Sequence, residues 1–396
     1  MRRGIDTRAM LALGSGHLAA DFANGSLPAL VPFFVDRFDL SYTLAAAILL
    51  ASTVSSSLMQ PLFGVWSDRH GAIWLLPLGV ALGGVGIALA ADARSYVLCL
   101  VLVVVSGIGI AAYHPEALKF AAYASGARRA SGMSAFSIGG NVGYALGPIV
   151  AVPLLTGLGP HGGLLLALPC LAIAAALLLR LPSLRPLARV DLHRHAPPGD
   201  DRPGALAILL AACTFRSIAW YGLLAFVPLW EVSLGHSKAH GARLLALMLL
   251  AGGIGTIVAG PLADRLGLRR VLTASLVAMP PLILGYVALG GGAGAACLAG
   301  VGISTISTYG VTTVMAQHYL PHRIGLSSGL SIGLPIGLGG AGAVLLGAVA
   351  DAVDLRTALH VAVGISLAAG LCAFLLPPPT RRAVALTDQS IAPAGR

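Results

Sequence analysis

The most informative shortage in this chain of 396 residues is charge. Only 10% of its residues are Asp, Glu, Lys or Arg, whereas 57% are hydrophobic. Soluble proteins carry about 25% charged residues, so the shortage excludes an ordinary soluble domain. Apolar runs that reach the roughly 20 residues needed to cross a bilayer recur along the whole sequence. The composition therefore predicts a polytopic, all-α membrane protein.

Cysteine frameworks and the common metalloprotease signature are also missing. The five cysteines lie in apolar runs without CxxC spacing, which indicates small core residues and not a disulfide or zinc framework. The sequence contains no HExxH motif, which would place two histidines and a glutamate on one helix for zinc. We expect a protein that is not an enzyme and that has no cofactor and no metal.

Twelve membrane spans are predicted from the apolar runs. They lie near residues 9–34, 42–66, 73–92, 95–122, 131–156, 162–181, 205–231, 240–263, 270–290, 293–320, 325–350 and 355–376. The longest polar stretch, at 181–204, has the prolines, charges and lack of periodicity that are typical of a linker. The predicted organisation is an N-terminal six-helix half at 1–181, a cytoplasmic linker at 182–204, and a C-terminal six-helix half with a short cytoplasmic tail at 205–396.

Positive charge is divided unevenly between alternate connections. One set holds most arginines, namely Arg2, Arg3, Arg8, Arg69, Arg128, Arg129, those of the linker, Arg265, Arg269, Arg270, Arg323, Arg381 and Arg382. The other set holds chiefly Arg37, Arg94, Lys238 and Arg356. This positive-inside bias predicts that both termini and the linker lie in the cytoplasm. The net charge of +10 does not indicate a nucleic acid partner, because the sequence offers no soluble basic face.

The two halves resemble each other at a shift of about 195 residues. GVWSDRHG (64–71) returns as GPLADRLG (260–267), LPALVPFF (27–34) as LLAFVPLW (223–230), and SIGGNVG (137–143) as SIGLPIG (331–337). Each half has an even number of predicted spans, so both halves enter the membrane from the same side. The halves are therefore predicted to be parallel repeats.

With this repeat, the chain resembles the major facilitator superfamily of secondary transporters over essentially its whole length. The residues that match the family's gating motif are Gly64, Asp68, Arg69 and Gly71, and in the second copy Gly260, Asp264, Arg265 and Gly267. Glycine lets helices approach closely, and an aspartate can interact with a helix N-terminus. The first copy departs from the family pattern, because Ala72 and Ile73 replace its final basic pair. The resemblance implies two six-helix repeats, alternating access and a monomer.

Within the superfamily, the sequence resembles the fosmidomycin resistance protein group. The matching stretches are HLAADFANGSLPALVP (17–32), SLMQPLFGVWSD (57–68), YHPEALK (113–119), SAFSIGGNVGYALGP (134–148) and RIGLSSGLSIG (323–333). The resemblance implies a proton-coupled drug exporter for small polar compounds such as phosphonates. One departure is that Val103 lies about where many proton-linked drug exporters have a fourth-span arginine, so other residues would have to carry protons.

Two ionisable residues lie near the middle of their predicted spans, where a charge is costly. Asp21 is in the first span and Arg216 in the seventh, and the repeat offset places position 21 one residue from Arg216. In the implied architecture these spans face each other across a central cavity, which predicts a charge pair at the midplane. Arg216 could bind a phosphonate or carboxylate by a bidentate contact, and Asp21 could couple transport to protons. The alternative is a permanent salt bridge.

The stretch AAYHPEALKF (111–120) puts several polar residues into the fourth span. Glu116 and Lys119 lie on one helix face with Tyr113, and we expect them to line the inner mouth of the cavity. Pro115 is expected to kink this helix, since proline removes a backbone hydrogen bond. Lys119 could instead reach the lipid headgroups, and Glu116 is expected to pair or titrate.

Five more side chains are candidates for a functional or a structural role. His114, beside the proline, and His17, one turn before the first-span aspartate, are candidates for proton transfer or for hydrogen-bonding struts. Asn141 could bind substrate or cap a carbonyl that the neighbouring glycines leave free. Trp220 and Tyr221 lie deeper than the other aromatic residues, which are expected at the membrane interfaces, and could line the cavity.

Three functions stay open on the sequence alone. The first is proton-driven efflux of a small polar or anionic drug or metabolite. The second is proton-coupled import of a small organic anion, because the same cavity charges would serve both directions. The third is a sensor or enzyme on a transporter-like scaffold, which nothing appended to the spans supports. The expected partners are a small-molecule substrate, protons and the lipid bilayer.

Overall fold

The structure is a computed structural model that describes residues 4–70, 72–126, 129–189 and 200–378. Within these ranges it is helical and contains no β-strand. The α-helices are α1 (Thr7–Phe38), α2 (Tyr42–His70), α3 (Leu75–Ala91), α4 (Tyr96–Ala124), α5 (Arg129–Leu158), α6 (Ala167–Leu184), α7 (Pro203–Ser233), α8 (Lys238–Leu266), α9 (Leu268–Leu289), α10 (Gly291–Ile306), α11 (Thr308–Tyr319), α12 (Ile324–Ala352) and α13 (Leu355–Phe374). Three short 3-10 helices lie at Pro160–Leu166, Arg185–Arg189 and Pro321–Arg323.

The predicted all-α fold is confirmed, with one interruption in a predicted span. In the described part of the chain, 11 helical segments are long and apolar enough to cross a membrane, and α3 is a shorter apolar helix of 17 residues. The tenth predicted span consists of α10 and α11, which meet at Ser307. Hydroxyl groups compete with the helical backbone there, because Thr308 donates to the carbonyl of Thr305 at 2.8 Å and Ser304 to that of Gly300 at 2.7 Å.

Local sequence signals set several of the helix ends. The carboxylate of Asp6 accepts a hydrogen bond from the N–H of Ala9 at 3.1 Å and so caps the start of α1. Ser237 caps α8 in the same way, through the N–H of His240 at 3.2 Å. Gly267 ends α8 with a φ of 96°, a conformation that side-chain-bearing residues rarely adopt. This requirement explains why a glycine of the predicted gating motif stands at that position.

Corresponding helices pack together in both parts of the chain. In the first part, α1 packs on α5, α2 on α4, and α3 on α6. The equivalent pairs in the second part are, in the same order, α7 on α12, α8 on α10, and α9 on α13. Across the middle of the molecule, α2 packs on α12 and α5 packs on α8. The predicted linker at 182–204 falls partly outside the described residues, so the boundaries of the two halves stay a prediction.

Backbone contacts define the two ends of the bundle. The terminal end holds the starts of α1 and α7 and the end of α4: the N–H of Asp6 donates to the carbonyl of Ala124 at 2.8 Å, and the N–H of Arg202 donates to that of Tyr319 at 2.6 Å. The opposite end holds the end of α1 and the starts of α2 and α8. The positive-inside bias predicts that the terminal end faces the cytoplasm.

Polar contacts join the two halves at the opposite end. Lys238, at the start of α8, pairs with Asp36 near the end of α1 and lies 4.3 Å from the centre of the Phe33 ring. The carboxylate of Asp351, near the end of α12, accepts hydrogen bonds from the N–H and the hydroxyl of Thr43 at 2.9 and 2.5 Å. The structure therefore describes a conformation in which the opposite end is held together.

Breaking the pair between Lys238 and Asp36 is expected to open this end more often. An exposed ion pair contributes about 0.2–1 kcal/mol, so Lys238→Ala should raise the open population by up to about fivefold. The measurement is the labelling rate of a cysteine placed at buried Ala46 of α2, in a chain without other cysteines. Asp92→Ala is the control, because it breaks a surface pair with His161 inside one half. Equal labelling rates in the wild type and Lys238→Ala would contradict the prediction.

Candidate functional site

A carboxylate between two histidines lies where α1 meets α4. Oδ2 of Asp21 lies 3.2 Å from Nε2 of His17, and Oδ1 lies 3.3 Å from Nε2 of His114. The far side of each ring contacts the backbone: Nδ1 of His17 lies 3.0 Å from the carbonyl oxygen of Phe136, and Nδ1 of His114 lies 2.8 Å from that of Ile110. All three side chains are largely buried. We refer to Asp21, His17 and His114 as the histidine–carboxylate cluster.

The contacts of the cluster constrain where its protons lie. A carbonyl oxygen only accepts hydrogen bonds, so Nδ1 of each histidine carries a proton. In a neutral imidazole, Nε2 is then an acceptor and would face the acceptor oxygens of an ionised Asp21. Favourable contacts to both rings require added protons, on the Nε2 atoms or shared with the carboxylate. The geometry thus fits a cluster that holds protons in addition to the two on the Nδ1 atoms.

Two groups in the described ranges place ligand atoms close enough to hold a metal ion. The first is the histidine–carboxylate cluster, and the second consists of Glu231, His236 and His240 at the opposite end. In each group the ligand atoms lie within 4.8 Å of one another. The sequence predicted neither group as a metal site, although Asp21, His17 and His114 were each candidates for proton coupling. A second helix brings the first group together and a turn brings the second together.

Glycines on α5 give the cluster its space. A Cβ added at Gly143 would lie 2.0 Å from the carbonyl oxygen of Leu18 on α1, so the two backbones touch there. A Cβ added at Gly140 would lie 2.4 Å from Nε2 of His17. The glycines of the SIGGNVG stretch therefore serve close helix packing, and one of them also leaves room for the imidazole.

Arg216 on α7 is completely buried. Its Nη1 donates to Oγ1 of Thr308 at 2.9 Å, and the guanidinium lies 4.4 Å from the centre of the Tyr309 ring. In the described part of the chain, Nε and Nη2 have no hydrogen-bond partner. Leaving charged donors buried and unsatisfied is costly, and an anion with two oxygens could accept from both. The arrangement therefore fits an anion-binding residue.

The structure does not contain the direct pair between Asp21 and Arg216 that the sequence predicted. Both carboxylate oxygens of Asp21 face histidine nitrogens, and Arg216 turns to the hydroxyl and ring where α11 begins. The reason is that each of these two residues contacts a side chain from a different helix. His114 comes from α4, and Thr308 follows the interruption at Ser307, and neither arrangement can be read from the spacing along one span.

Three tyrosines interact electrostatically with one or the other of the two charged sites. Tyr221 of α7 interacts electrostatically with Arg216, Tyr309 and Tyr144, and Tyr144 of α5 interacts with Tyr309 and Asp21. Tyrosines from three helices thus lie near the carboxylate or the guanidinium. Tyr221 was among the predicted substrate-binding residues, whereas Tyr144 and Tyr309 were missed. Tyr144 stands inside the matched stretch SAFSIGGNVGYALGP, which was the available signal.

Glu116 and Lys119 pair with each other and with α2. Nζ of Lys119 lies 2.8 Å from Oε2 of Glu116 and 2.6 Å from Oγ of Ser67, which also donates to Glu116. Glu116 is 1% exposed, and Ser67 directly precedes Asp68 of the predicted gating motif. The network therefore ties α2 to α4 next to that motif. α4 continues as a helix through Pro115, and the predicted kink stays a prediction.

Other candidates are packed at helix contacts. Tyr113 is fully buried and donates to the carbonyl of Leu13 at 2.5 Å, which joins α4 to α1. Trp220 is buried in an apolar core that helices from both halves share. Asn141 is half-buried where α5 meets Gly253 of α8. The structure thus places Tyr113 and Trp220 in packing positions, while Asn141 lies at the contact between the halves.

The predicted gating motif is described only in part. The side chains of Asp68 and Arg69, and the whole of Gly71, lie outside the described residues. The described members are Gly64, at the contact of α2 with α4, and in the second copy Gly260, Asp264, Arg265 and Gly267. The aspartate and arginine of the second copy are exposed at the terminal end. The gating role of the motif stays a prediction.

Two overlapping strings in α12, GLSSG (325–329) and GLSIG (329–333), match the GxSxG pattern of serine hydrolases. In those enzymes the serine stands on a sharp turn between a strand and a helix. Both strings lie within the continuous helix α12, so they lack the structural context that makes such a serine a nucleophile. They do not indicate hydrolase chemistry.

Relatives of the chain extend over nearly its whole length. The sequence profile of the Major Facilitator Superfamily matches residues 13–331. The chain is 31% identical over 379 residues to the uncharacterized MFS-type transporter YfnC of Bacillus subtilis (strain 168), which covers 93% of this chain and 92% of that protein. It is 29% identical over 380 residues to the fosmidomycin resistance protein of Escherichia coli (strain K12), with coverages of 92% and 91%. A solved bacterial homologue of the human lysosomal transporter Spinster, inward-facing and occupied, has a TM-score of 0.76 at 16% identity and covers 93% of this chain and 96% of that chain.

Proposed function

The chain belongs to the Major Facilitator Superfamily, and on that basis we propose that it exports a small polar or anionic compound in exchange for protons. Membership confirms the family that the motifs indicated. It also makes the chain a multi-pass membrane protein whose partners are small-molecule substrates. Our proposal adds alternating access, a monomer, and a bacterial inner membrane with both termini in the cytoplasm.

The observation that carries the proposal is the buried guanidinium of Arg216 with two unsatisfied donors. A phosphonate or carboxylate has two oxygens at the spacing of the guanidinium fork, so it could accept from Nε and Nη2 together. The Tyr309 ring covers one face of the guanidinium, which leaves its edge for the ligand. Tyr221 and Tyr144 supply further hydroxyl groups nearby. Arg216 would therefore select for negative charge in the substrate.

The histidine–carboxylate cluster is the proposed proton site. Its contacts require protons that a neutral pair of histidines and an ionised Asp21 do not supply. Tyr144 interacts electrostatically both with Asp21 of the cluster and with Tyr309. A change in the protonation of the cluster changes the charge near the substrate site by a full unit. This electrostatic link is what coupling requires.

The direction of transport has two candidates. Export is supported by the relative in Escherichia coli, whose name is fosmidomycin resistance protein. Import by proton symport is favoured by the signs of the charges, because a protonated cluster attracts an anion to Arg216 and an ionised Asp21 repels it. In symport, binding of the proton raises the affinity for the anion, whereas in antiport binding of one lowers the affinity for the other.

The experiment that tests the proposal is an accumulation assay. The protein is expressed in a susceptible bacterium, and uptake of a labelled small phosphonate is followed with and without a protonophore. Lower accumulation that recovers when the gradient collapses is the expected result and identifies proton-driven export. Higher accumulation that disappears with the gradient would identify the importer. Accumulation equal to that of cells with an empty vector would contradict transport of this class of anion.

Gly140→Ala is expected to abolish proton-coupled transport in a protein that still folds. The new methyl group would lie 2.4 Å from Nε2 of His17 and 2.7 Å from Oδ2 of Asp21, so the cluster must rearrange. Overpacking of this kind costs about 1–3 kcal/mol, which the rest of the fold can absorb. The measurement is transport in vesicles with an imposed pH gradient. Gly157→Ala, on the same helix but with open space around it, is the control, and wild-type transport by Gly140→Ala would contradict the role of the cluster.

A further inference from the structure

A glutamate and two histidines converge at the turn between α7 and α8. Oε2 of Glu231 lies 2.6 Å from Nδ1 of His236 and 3.4 Å from Nε2 of His240. The glutamate side chain is 5% exposed, whereas those of the two histidines are 49% and 38% exposed. We propose that Glu231, His236 and His240 form a binding site for a divalent transition metal of the Zn²⁺ class, which regulates opening of this end.

The local backbone holds the three side chains in place. α7 ends at Ser233, and Gly235, with a φ of 86°, turns the chain so that the N–H of His236 donates to the carbonyl of Glu231 at 3.0 Å. Ser237 then caps α8 through the N–H of His240, which fixes that histidine in the first helical turn. The ligands are therefore held near one another before any ion binds.

The donor set and its spacing suit zinc. Two imidazole nitrogens and one carboxylate oxygen are common Zn²⁺ ligands, and a fourth position can be taken by water. Ligands 2.0–2.1 Å from a tetrahedral ion lie about 3.3 Å apart. The contact between Glu231 and His240 already has this length, and the contact between Glu231 and His236 would have to lengthen by less than 1 Å.

The second oxygen of the carboxylate has an orienting partner. The hydroxyl of Tyr286 on α9 donates to Oε1 of Glu231 at 2.8 Å and leaves Oε2 directed at the two imidazoles. Metal-binding carboxylates are commonly held by such a hydrogen bond, and its removal lowers affinity about 10–100-fold. A surface ion pair between one histidine and one carboxylate would need neither the second histidine nor this buried support.

The position of the site gives the ion a regulatory effect. Lys238 stands between the two histidine ligands in the sequence, and it forms the contact with Asp36 and Phe33 that joins the halves at this end. An ion that fixes the turn also fixes Lys238 in the orientation that makes this contact. We therefore expect Zn²⁺ to slow opening of the opposite end.

The binding test is calorimetric titration of Zn²⁺ into the purified full chain without an affinity tag. The variants are H236A/H240A, Y286F, H17A/H114A for the other histidine group, and H360A as an exposed control whose ring contacts its own helix backbone. We expect the wild type and H360A to bind alike, Y286F to bind about 10–100-fold more weakly, and H236A/H240A to lose the event. The event should persist in H17A/H114A. The proposed site would be overturned if H236A/H240A bound Zn²⁺ with wild-type affinity. It would also be overturned if H17A/H114A lost Zn²⁺ binding while H236A/H240A kept it.

The regulatory part is tested by labelling the cysteine at position 46. In the chain whose only cysteine is at position 46, Zn²⁺ should slow labelling by severalfold. With H236A/H240A added to that chain, Zn²⁺ should leave the rate unchanged. An equal rate with and without Zn²⁺, in a chain that binds the ion, would overturn the regulatory role. Neither measurement depends on the substrate or on the direction of transport.

Discussion

Asp21→Asn is expected to abolish transport against a gradient while leaving substrate exchange intact. The amide of asparagine can donate to Nε2 of one histidine and accept from that of the other, so the contacts with His17 and His114 are kept. It carries no negative charge that would stabilise added protons on the two histidines, so the cluster should no longer take up and release protons. Transport driven by an imposed pH gradient should therefore fall to the level measured with a collapsed gradient. Exchange between labelled and unlabelled substrate in proteoliposomes should continue.

Asp92→Asn is the matched control for this substitution. Asp92 also pairs with a histidine, His161, at 3.0 Å, but the histidine is 80% exposed and the pair lies in the connections at the opposite end. We expect this variant to transport as the wild type does. Uphill transport by Asp21→Asn at the wild-type rate would show that the cluster is structural. Loss of both uphill transport and exchange would show that Asp21 serves substrate binding and not proton coupling.

Arg216→Met is expected to weaken binding of an anionic substrate by at least about 100-fold. Hydrogen bonds to a charged group contribute about 1.5–3 kcal/mol each, and two of them would be lost, while 1.4 kcal/mol corresponds to a factor of ten. The same variant should be more stable than the wild type when no substrate is bound. Methionine fills the volume without a buried charge, which should raise the free energy of unfolding by on the order of 1 kcal/mol.

The opposite signs of these two effects distinguish a binding residue from a structural one. If Arg216 mainly held α7 to α11 through Thr308 and Tyr309, its removal would lower the melting temperature. Substrate binding and thermal unfolding are measured on the same detergent-purified sample. Arg243→Met is the control, because this arginine is exposed on α8 in the same half and should change neither quantity by much. A less stable Arg216→Met that still binds the anion with wild-type affinity would refute the proposed role.

The sequence located the two charged centres and one neighbour of Asp21, but not the partners that other helices supply. Asp21 and Arg216 stand out because a charge in an apolar span is rare and costly. His17 was found by its spacing of one helical turn from Asp21. His114 lies on α4 and contacts Asp21 of α1. Glu116 and Lys119 also lie on α4, but they face α2. Spacing within one helix does not specify how two helices are rotated against each other.

The same limit applies to the metal ligands and to the arginine's neighbours. Glu231, His236 and His240 are near in sequence, but only the turn at Gly235 and the cap of α8 bring their ligand atoms within reach. Tyr309 covers the guanidinium because the tenth span is interrupted at Ser307. In the sequence, this span is one continuous apolar run, and its only sign of an interruption is the group of hydroxyl residues around Ser307.

What the sequence determined by itself is the fold class, the number of spans and the family. These follow from long apolar runs, from the repeat at about 195 residues and from motifs that are local in the chain. The tertiary structure alone decided which side chains meet, because helix packing brings together residues that lie far apart in the chain. It replaced the expected pair of Asp21 and Arg216 by two separate centres, one with two histidines and one with Thr308 and Tyr309. The physical reason is that an apolar span specifies burial along its length, whereas the small side chains at each contact, such as Gly140 and Gly143, set how the helices approach and rotate.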